Sequence, residues 1–500
     1  MDKIKIVIRN VHFAVTVTKS LEHQRLMAGF NDNLVTYKVI YIPHLKKMVR
    51  QEDRRFYYQV GKYTFHYSIH LLNTFVKRLL KQGCQEKDII VTKDTIYKPG
   101  VLKATMRDKF SDRDHQPLYI DKALTTNPMV LVDLKTGKGK TYISMRVSTQ
   151  LKQPTGIVVL SRYIEKWIND VKELTTVTDD DIYVVKGKDS LVKLLKSDKV
   201  YDFIIFSLST LRNYIKQYDE DPSNHLAAPE SLFKYLGLGI LLTDEVHQSF
   251  HAGYMTITRL NPLKVVALSA TLDNLDRGIK FMYATLYPNT ARCGQLVKFR
   301  AHPIVIAVNY YIDNPERMRY LGPRGYSHTL FEQNILRNSV FRKMYLEMIL
   351  HYVNKGYIAK RREGDKVLIL VQTVLMATIV TNYLKSRLRG LVINRYVEED
   401  PYENIIESDI SVSTNLSSGT ALDIPNLIMV LQTVSIGSLQ ANVQALGRLR
   451  EIKGIDVKYY YLYSSNLPSQ YKLHETRRSV IKHLAKEYKY EEYSKRFKTR

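Results

Sequence analysis

The chain has 500 residues, 45% of them hydrophobic, and its 75 Lys and Arg against 49 Asp and Glu give a formal net charge of +26. That length exceeds one ordinary core and predicts two to four domains, while the apolar content excludes a disordered chain. Two cysteines, Cys84 and Cys293, exclude a disulfide framework or a zinc cluster, and the cationic excess points to a polyanionic partner.

Residues 1–105 are rich in Tyr, Phe, Lys and Arg. "NLVTYKVIYIP" and "RRFYYQVGKYTFHYSI" alternate as strands do, and "LLNTFVKRLLKQG" has helical periodicity with a glycine stop. A small α+β module is expected there. Its second strand pair carries Arg54, Arg55, Lys62 and His66 among Tyr57, Tyr58, Tyr63 and Phe65, a composition suited to nucleic-acid backbone and bases. The competing reading is that the rings only build the module's core. From "RDHQ" onward, buried-strand runs ("MVLVDL", "TGIVVLS", "DFIIFSLS", "GILLTDE", "KVVALSAT") alternate with helical stretches, which predicts a parallel sheet.

Residues 289–335, with several Pro, Gly and Tyr, read as a connector. A second strand set follows in "KVLILVQT", "GLVINRY", "DISVST", "NLIMVLQT" and "KYYYLYSS", and the segment from Pro468 reads as a basic helical tail. The opening "MDKIKIVIRNVHF" has no long apolar core, and no run is long enough to span a bilayer, so a soluble cytoplasmic protein is expected.

Four stretches carry chemistry. In "LVDLKTGKGKTYISM" a strand meets a glycine-containing loop and then a helix, which turns backbone N–H groups toward an anion. Thr136, Gly137, Lys138 and Gly139 form the loop. Lys140 would reach the outer phosphates of a nucleotide, and Thr141 would offer its hydroxyl to Mg²⁺. Leu134 stands where the simplest phosphate-loop pattern has its first glycine, and a Gly/Lys surface turn is the alternative.

In "ILLTDEVHQSF" a buried strand ends in Asp244, placed to organise Mg²⁺, and Glu245, placed to deprotonate an attacking water. Taken alone, the pair also fits an ordinary loop start. "VVALSATLDN" ends a strand in Ser269, Ala270 and Thr271, small residues able to couple phosphate chemistry to another element or simply to close a strand. "NVQALGRLREI" puts Gln444, Arg448 and Arg450 in a predicted helix, where a guanidinium fork suits a γ-phosphate; a solvated basic helix is the alternative.

In this order the stretches resemble the superfamily two helicases and translocases over roughly residues 106–465. "RDHQ" is similar to the adenine-reading segment, with Gln116 toward the base and Arg113 nearby; "VVLSRYIEKW" and "FSLSTLRNY" resemble strand-contact motifs; "SVSTNLSSGTALDIP" resembles the fifth motif, with Gly419 and Asp423. The resemblance implies an α/β fold of two RecA-like parallel-sheet lobes preceded by a small α+β N-terminal domain. Its boundaries would be 1–105, 106–295, 296–465 and a tail over 466–500. ATP and Mg²⁺ would bind between the lobes, and backbone contacts would come from Arg162, Ser209, Thr210, Thr373 and Thr414. The second arginine of the sixth motif usually stands three residues past the first, where this chain has Glu451, so Arg448 is the expected arginine finger and Arg450 its displaced partner.

"DEVH", the compact second lobe and the N-terminal module resemble phage UvsW-like branch-migration helicases. That resemblance implies a monomer remodelling branched DNA (forks, displacement loops, four-way junctions) in replication, recombination and repair. A motor starting near residue 106 would then keep DNA-stimulated ATPase and lose its preference for branches. The alternatives are an RNA helicase or transcript-release factor, and a nucleotide-gated DNA-binding protein without enzymatic activity.

Overall fold

The alternation of the first seventy residues is realised as strands. In the computed structural model, residues 3–42, 47–134, 137–244, 250–269, 277–294, 296–297, 301–323, 325–397, 400–401, 403–414 and 424–498 are described. The strands β1 (Ile4–Arg9), β2 (His12–Thr16), β3 (Val35–Ile42), β4 (Lys47–Arg55), β5 (Tyr58–Val60), β6 (Thr64–Ser68) and β7 (Ile89–Asp94) belong to the N-terminal module. Five of them form one sheet in the order β5-β6-β2-β1-β7, antiparallel except for the parallel β1–β7 pair. β3 and β4 pair only with each other, as a separate two-stranded ribbon.

The predicted helix is present as Leu72–Lys81. Phe75 and Leu79, one turn apart, are fully buried, and each contributes about 1.5–3 kcal/mol by leaving water. The Phe75 ring lies 4.9 Å from Phe30 and 5.6 Å from Phe13, so this helix closes the sheet's core. It stops at Gly83, whose φ of +87° only glycine adopts without strain, and Cys84 N–H returns to the Leu79 carbonyl.

In the strand pair read as a nucleic-acid surface, Tyr57, Phe65 and His66 are buried, Arg54, Arg55, Tyr58 and Tyr63 half-buried, and Lys62 exposed. Tyr57 and Phe65 face the module's own core, and His66, 3% exposed on the opposite face, meets the lobe that follows the module. There the Arg259 guanidinium, 2% exposed, pairs with Asp219 at 2.6 Å and with Glu230, and donates to His66 Nε2 at 3.1 Å. Tyr58 donates its hydroxyl to Asp219 at 2.7 Å. Burial, with the Arg259 charge adding to it, holds His66 far below the usual histidine range, so it accepts as a neutral ring. One apolar cluster continues from Ile4 and Phe75 in the module to Leu241 and Tyr287 in the lobe. Met1–Val297 is accordingly one compact unit, and the boundary expected at residue 105 does not interrupt its core.

The second part of this unit holds β8 (Met129–Asp133), β9 (Thr155–Val159), β10 (Ile182–Val185), β11 (Phe203–Ser207), β12 (Ile240–Thr243) and β13 (Lys264–Ser269). They form a six-stranded, wholly parallel sheet in the order β10-β11-β9-β12-β13-β8. Helices cover both faces, so the strands read as continuous apolar runs rather than alternating ones.

The second unit, Lys298–Arg500, contains β14 (Ile304–Asn309), a small hairpin of β15 (Leu321–Gly322) and β16 (Gly325–Tyr326), then β17 (Lys366–Val371), β18 (Ile393–Tyr396), β19 (Ile410–Thr414), β20 (Leu427–Gln432), β21 (Lys458–Tyr463) and β22 (Glu487–Glu492). Seven of these make a parallel sheet in the order β18-β19-β17-β20-β21-β14-β22.

Two expectations are corrected here. The connector at 289–335 contains β14, buried along its whole length between β21 and β22, and the helix His328–Arg337. The tail is helical only through Leu484; it then adds β22 to the sheet edge and buries Phe497 completely. A strand buried on both faces shows no alternation, and the prolines and tyrosines flanking β14 obscured it.

Candidate nucleotide and nucleic-acid site

In a parallel sheet all the carboxyl ends lie along one edge, and loops leaving adjacent strands meet there. β8, β13 and β12 are consecutive neighbours, with Asp133 opposite Ser269 and Ala267 opposite Thr243. The phosphate-loop segment, Ser269 and Asp244 therefore leave the sheet side by side, and Leu134 N–H donates to the Ser269 carbonyl at 3.1 Å.

Gly137 and Gly139 have φ of +80° and +86°, a backbone that L side chains rarely adopt, and a Cβ at Gly139 would collide with the Gln116 amide. The helix Lys140–Leu151 starts directly after Gly139, so its unsatisfied N–H groups open at the loop. Lys140 Nζ donates to the Leu134 carbonyl at 3.1 Å, which folds the amine over the loop, and Thr141 stands in the first helical turn.

The expected adenine-reading segment packs on this loop. Arg113 donates to the Gly137 carbonyl at 3.1 Å, Gln116 to the Lys138 carbonyl at 3.4 Å, and His115 Nε2 lies 2.9 Å from the Lys138 carbonyl. Gln116 also accepts from Arg113 N–H at 2.8 Å, which fixes its amide. Asp112, which sequence reasoning missed, ties the segment to the loop's helix: it accepts from Tyr142 at 2.7 Å and pairs with Arg146 at 3.2 Å.

Asp244 ends β12 and accepts from the indole N–H of Trp167 at 3.2 Å. Trp167, fully buried on the helix Ile164–Leu174, is a second residue that sequence reasoning missed. Thr136, Glu245, Ala270, Thr271, Gly419 and Asp423 lie outside the described residues.

Along the same edge, the turn after β9 exposes Arg162, with its guanidinium 4.9 Å over the Tyr163 ring. A hydroxyl chain at 2.8 Å steps runs Ser161–Ser207–Ser209. Ser209 is exposed, whereas Thr210 is buried and accepts from Gly187 N–H at 2.9 Å. Ser161, Ser207, Ser209 and Thr210 line a cavity of about 490 Å³ together with Lys186, Lys188 and Asn213. The two lysines carried no motif signal; only their place after β10 brings them here.

In the second unit the helix Leu439–Leu446 holds Gln444 but ends before Arg448 and Arg450, so these arginines are not helical as expected. Gly447 caps the helix, and Arg450 donates to its carbonyl at 3.1 Å, a cation on a helix C-terminus. Arg448 is buried and its charge lowers the proton affinity of Tyr396 and Tyr459 against the larger effect of their burial. Thr373 caps the helix Val374–Arg387 by accepting from Met376 N–H and donates to Glu332 at 2.7 Å. Thr373 itself is half-buried. Thr414, at the end of β19, is buried.

Residues 109–274 match the family model described as Type III restriction enzyme, res subunit. A protein of African swine fever virus named as a candidate ATP-dependent RNA helicase, QP509L, is 27% identical over 198 residues, 36% of this chain and 34% of that protein. Its counterpart in a second isolate is 27% identical over 195 residues. The chain spans about a third (34%) of the length of the curated relatives it matches. Among solved structures, S. cerevisiae dbp5 bound to gle1 and ip6 superposes with a TM-score of 0.51 at 13% identity, covering 77% of this chain and 90% of that one.

The fold is that of two RecA-like lobes, each a parallel sheet with helices. Its first lobe contains the segment that matches the restriction-enzyme res-subunit model.

Proposed function

We propose that this chain is an ATP-hydrolysing motor that moves along nucleic acid and remodels branched DNA. One observation carries the reading: the loop leading to Lys140, Ser269 and Asp244 leave the ends of adjacent parallel strands, with Gln116 and Arg113 packed onto the same loop.

In this reading the loop amides and Lys140 hold the phosphates, and Gln116 reads the base. Asp244 and Thr141 are the protein donors for Mg²⁺. One carboxylate and one hydroxyl fit an ion carried by a nucleotide, whose remaining positions belong to phosphate oxygens and water. Among the described residues no group of three or more His, Cys, Asp or Glu would hold an ion alone. The ion, when bound, neutralises phosphate charge. Glu245 takes the proton of the attacking water, Arg448 stabilises the charge developing on the γ-phosphate, and Arg450 supports the turn that presents it. Gln444 orients the reacting phosphate, and Ser269 with Thr271 couples turnover to the lobe's other loops. Arg162 and Ser209, exposed beside the cavity with Lys186 and Lys188, hold the nucleic-acid backbone, a contact without sequence information. Gly419 and Asp423 complete the nucleotide site.

Branched DNA as the substrate rests on the resemblance of motor and N-terminal module to branch-migration helicases. A second reading, an RNA helicase, is favoured by the names of the viral relatives. ATP hydrolysis and strand separation on matched single-stranded, duplex, forked, four-way-junction and RNA substrates distinguish them. The proposal expects the largest stimulation by forked or four-way DNA, and a response confined to RNA would establish the second reading.

A further inference from the structure

The β3–β4 ribbon is built unlike the rest of the molecule. Its strands of 8 and 9 residues pair only with each other, and in β4 six of the nine residues are exposed and the other three half-buried. At about 3.3 Å per residue it extends roughly 25 Å. An isolated two-stranded ribbon is at best marginally stable in water, so this one needs either an anchor or a partner.

The anchor is at its root. Phe56 N–H closes the ribbon on the Leu34 carbonyl at 2.7 Å. The next contacts come from the helix Phe250–Ile257: His251 Nε2 reaches the Arg55 carbonyl at 3.1 Å, and the Tyr254 hydroxyl donates to the Phe56 carbonyl at 2.8 Å. Tyr254 is fully buried. This helix follows Asp244 in the chain, with His251 seven positions on.

The outer part carries the signature of a partner. Strand alternation and the Val39–Arg50 pairing put Tyr37, Val39, Met48 and Arg50 on one face. Val39 and Met48 are 62% and 63% exposed, and the Arg50 guanidinium lies 4.0 Å over the Tyr37 ring. The other face carries Lys38 and Lys47.

Residues 35–55 hold six Lys and Arg against two acids. Both acids are neutralised within the ribbon, Asp53 by Lys38 at 3.3 Å and Arg54 at 3.8 Å, and Glu52 by Arg55 at 2.8 Å. Arg50 and Lys47 have no ion-pair partner among the described residues. Exposed apolar groups flanked by uncompensated cations fit a surface that is itself apolar in the plane and anionic at the rim. A base pair between two phosphate backbones has that form.

We propose that the β3–β4 ribbon seats between the two strands of forked DNA where they part. The Tyr37–Arg50 face lies against the last base pair, and Lys47 on the other face meets the phosphates of the displaced strand. Two open faces suit an element with nucleic acid on both sides, which a ribbon lying flat on one surface does not need. Its root on the helix that follows Asp244 lets it shift with the nucleotide site. This inference rests on the DNA-motor reading above.

The test uses the full chain with Val39→Ser, Met48→Ser and Arg50→Ala combined, exposed positions whose replacement leaves the core intact. Its probe is a DNA fork with 2-aminopurine in the last base pair. The ribbon variant is expected to separate the fork about tenfold more slowly or worse, a loss of about 1.4 kcal/mol. It should also lose the fluorescence rise on binding, and keep ATPase on single-stranded DNA within about twofold of wild type. Wild-type strand separation by the variant, or an equal loss of both activities, overturns the ribbon assignment. No DNA-stimulated ATPase in the wild type overturns the motor reading on which it rests.

Discussion

The indole N–H of Trp167 donates to the Asp244 carboxylate at 3.2 Å, which ties the helix behind Arg162 to the acid at the nucleotide site. A hydrogen bond to a charged group contributes about 1.5–3 kcal/mol. Trp167→Phe keeps the buried ring and removes the donor. Turnover is expected to fall about tenfold, and half-saturation by Mg²⁺ to rise, because the carboxylate loses its fixed orientation. A magnesium titration of ATPase reads both. An unchanged half-saturation would show that the bond does not position Asp244. Trp167 is the chain's single tryptophan, so its fluorescence in the wild type reports Mg-nucleotide binding directly.

Arg448 and Arg450 separate by environment. Arg448 is buried, whereas Arg450 folds back on the Gly447 carbonyl. Arg448→Ala is expected to keep nucleotide binding and to lose about 10³-fold in turnover, the scale of an arginine finger. Arg450→Ala should cost only about 1 kcal/mol of stability and a few-fold in rate, as loss of a helix C-terminal cation does. Equilibrium nucleotide binding beside single-turnover hydrolysis distinguishes them. A deeper catalytic loss from Arg450 would reverse the assignment.

Arg259 joins the N-terminal module to the first lobe. Arg259→Met leaves the partly buried Asp219 and Glu230 without their cation, and breaking such a network costs at most about 3–5 kcal/mol. Urea denaturation should show that loss. For the same reason a motor beginning near residue 106 should be poorly soluble and unstable, because the apolar cluster it shares with Phe75 and Tyr67 would be cut open. A truncated motor with wild-type stability and ATPase would contradict this.

Glu332 is completely buried and accepts from Gln372 N–H, Thr373 N–H and the Thr373 hydroxyl at 2.7–2.8 Å. Burial pushes its carboxyl up to about 7, against those three bonds, which pull it down; burial holds the neighbouring His328, 3.9 Å away, down to about 3. A carboxyl whose folded value is raised above its unfolded 4.5 favours folding in its protonated form. Stability from this group is therefore present below about pH 4.5, is lost as pH rises toward 7, and is level above it, a change of up to about 3 kcal/mol. Denaturation of wild type and Glu332→Gln across that window tests the sign. The variant, which cannot ionise, should lack the decline.

The convergence of the proposed nucleotide residues was legible because they follow strand ends, and apolar runs mark those ends. The glycines of the phosphate loop, Lys140 and Asp244 needed only local order in the sequence. Trp167 was not legible, since its bond to Asp244 spans 77 positions and depends on how a helix packs. β14 lay hidden because a strand covered on both faces has no period. β22 did show the period of two in "EYKYEE", yet its charges suggested a solvated tail.

The N-terminal strands were legible only in part. Their aromatic and basic residues suggested a binding surface, but Phe65 and His66 are buried on opposite faces, one in the module's core and the other against the first lobe. The open surface is the β3–β4 ribbon, whose independence from the main sheet no pattern in its sequence announced.

The central claim is that this chain turns over ATP at Lys140 under the control of nucleic acid. Steady-state ATP hydrolysis by the intact protein and its Lys140→Ala variant, each with and without forked DNA, tests it most directly. The fork should raise wild-type turnover at least severalfold, and the variant should hydrolyse nothing measurable while still binding DNA. Near-normal turnover by Lys140→Ala, or a wild type that binds the fork and hydrolyses no ATP, would contradict it.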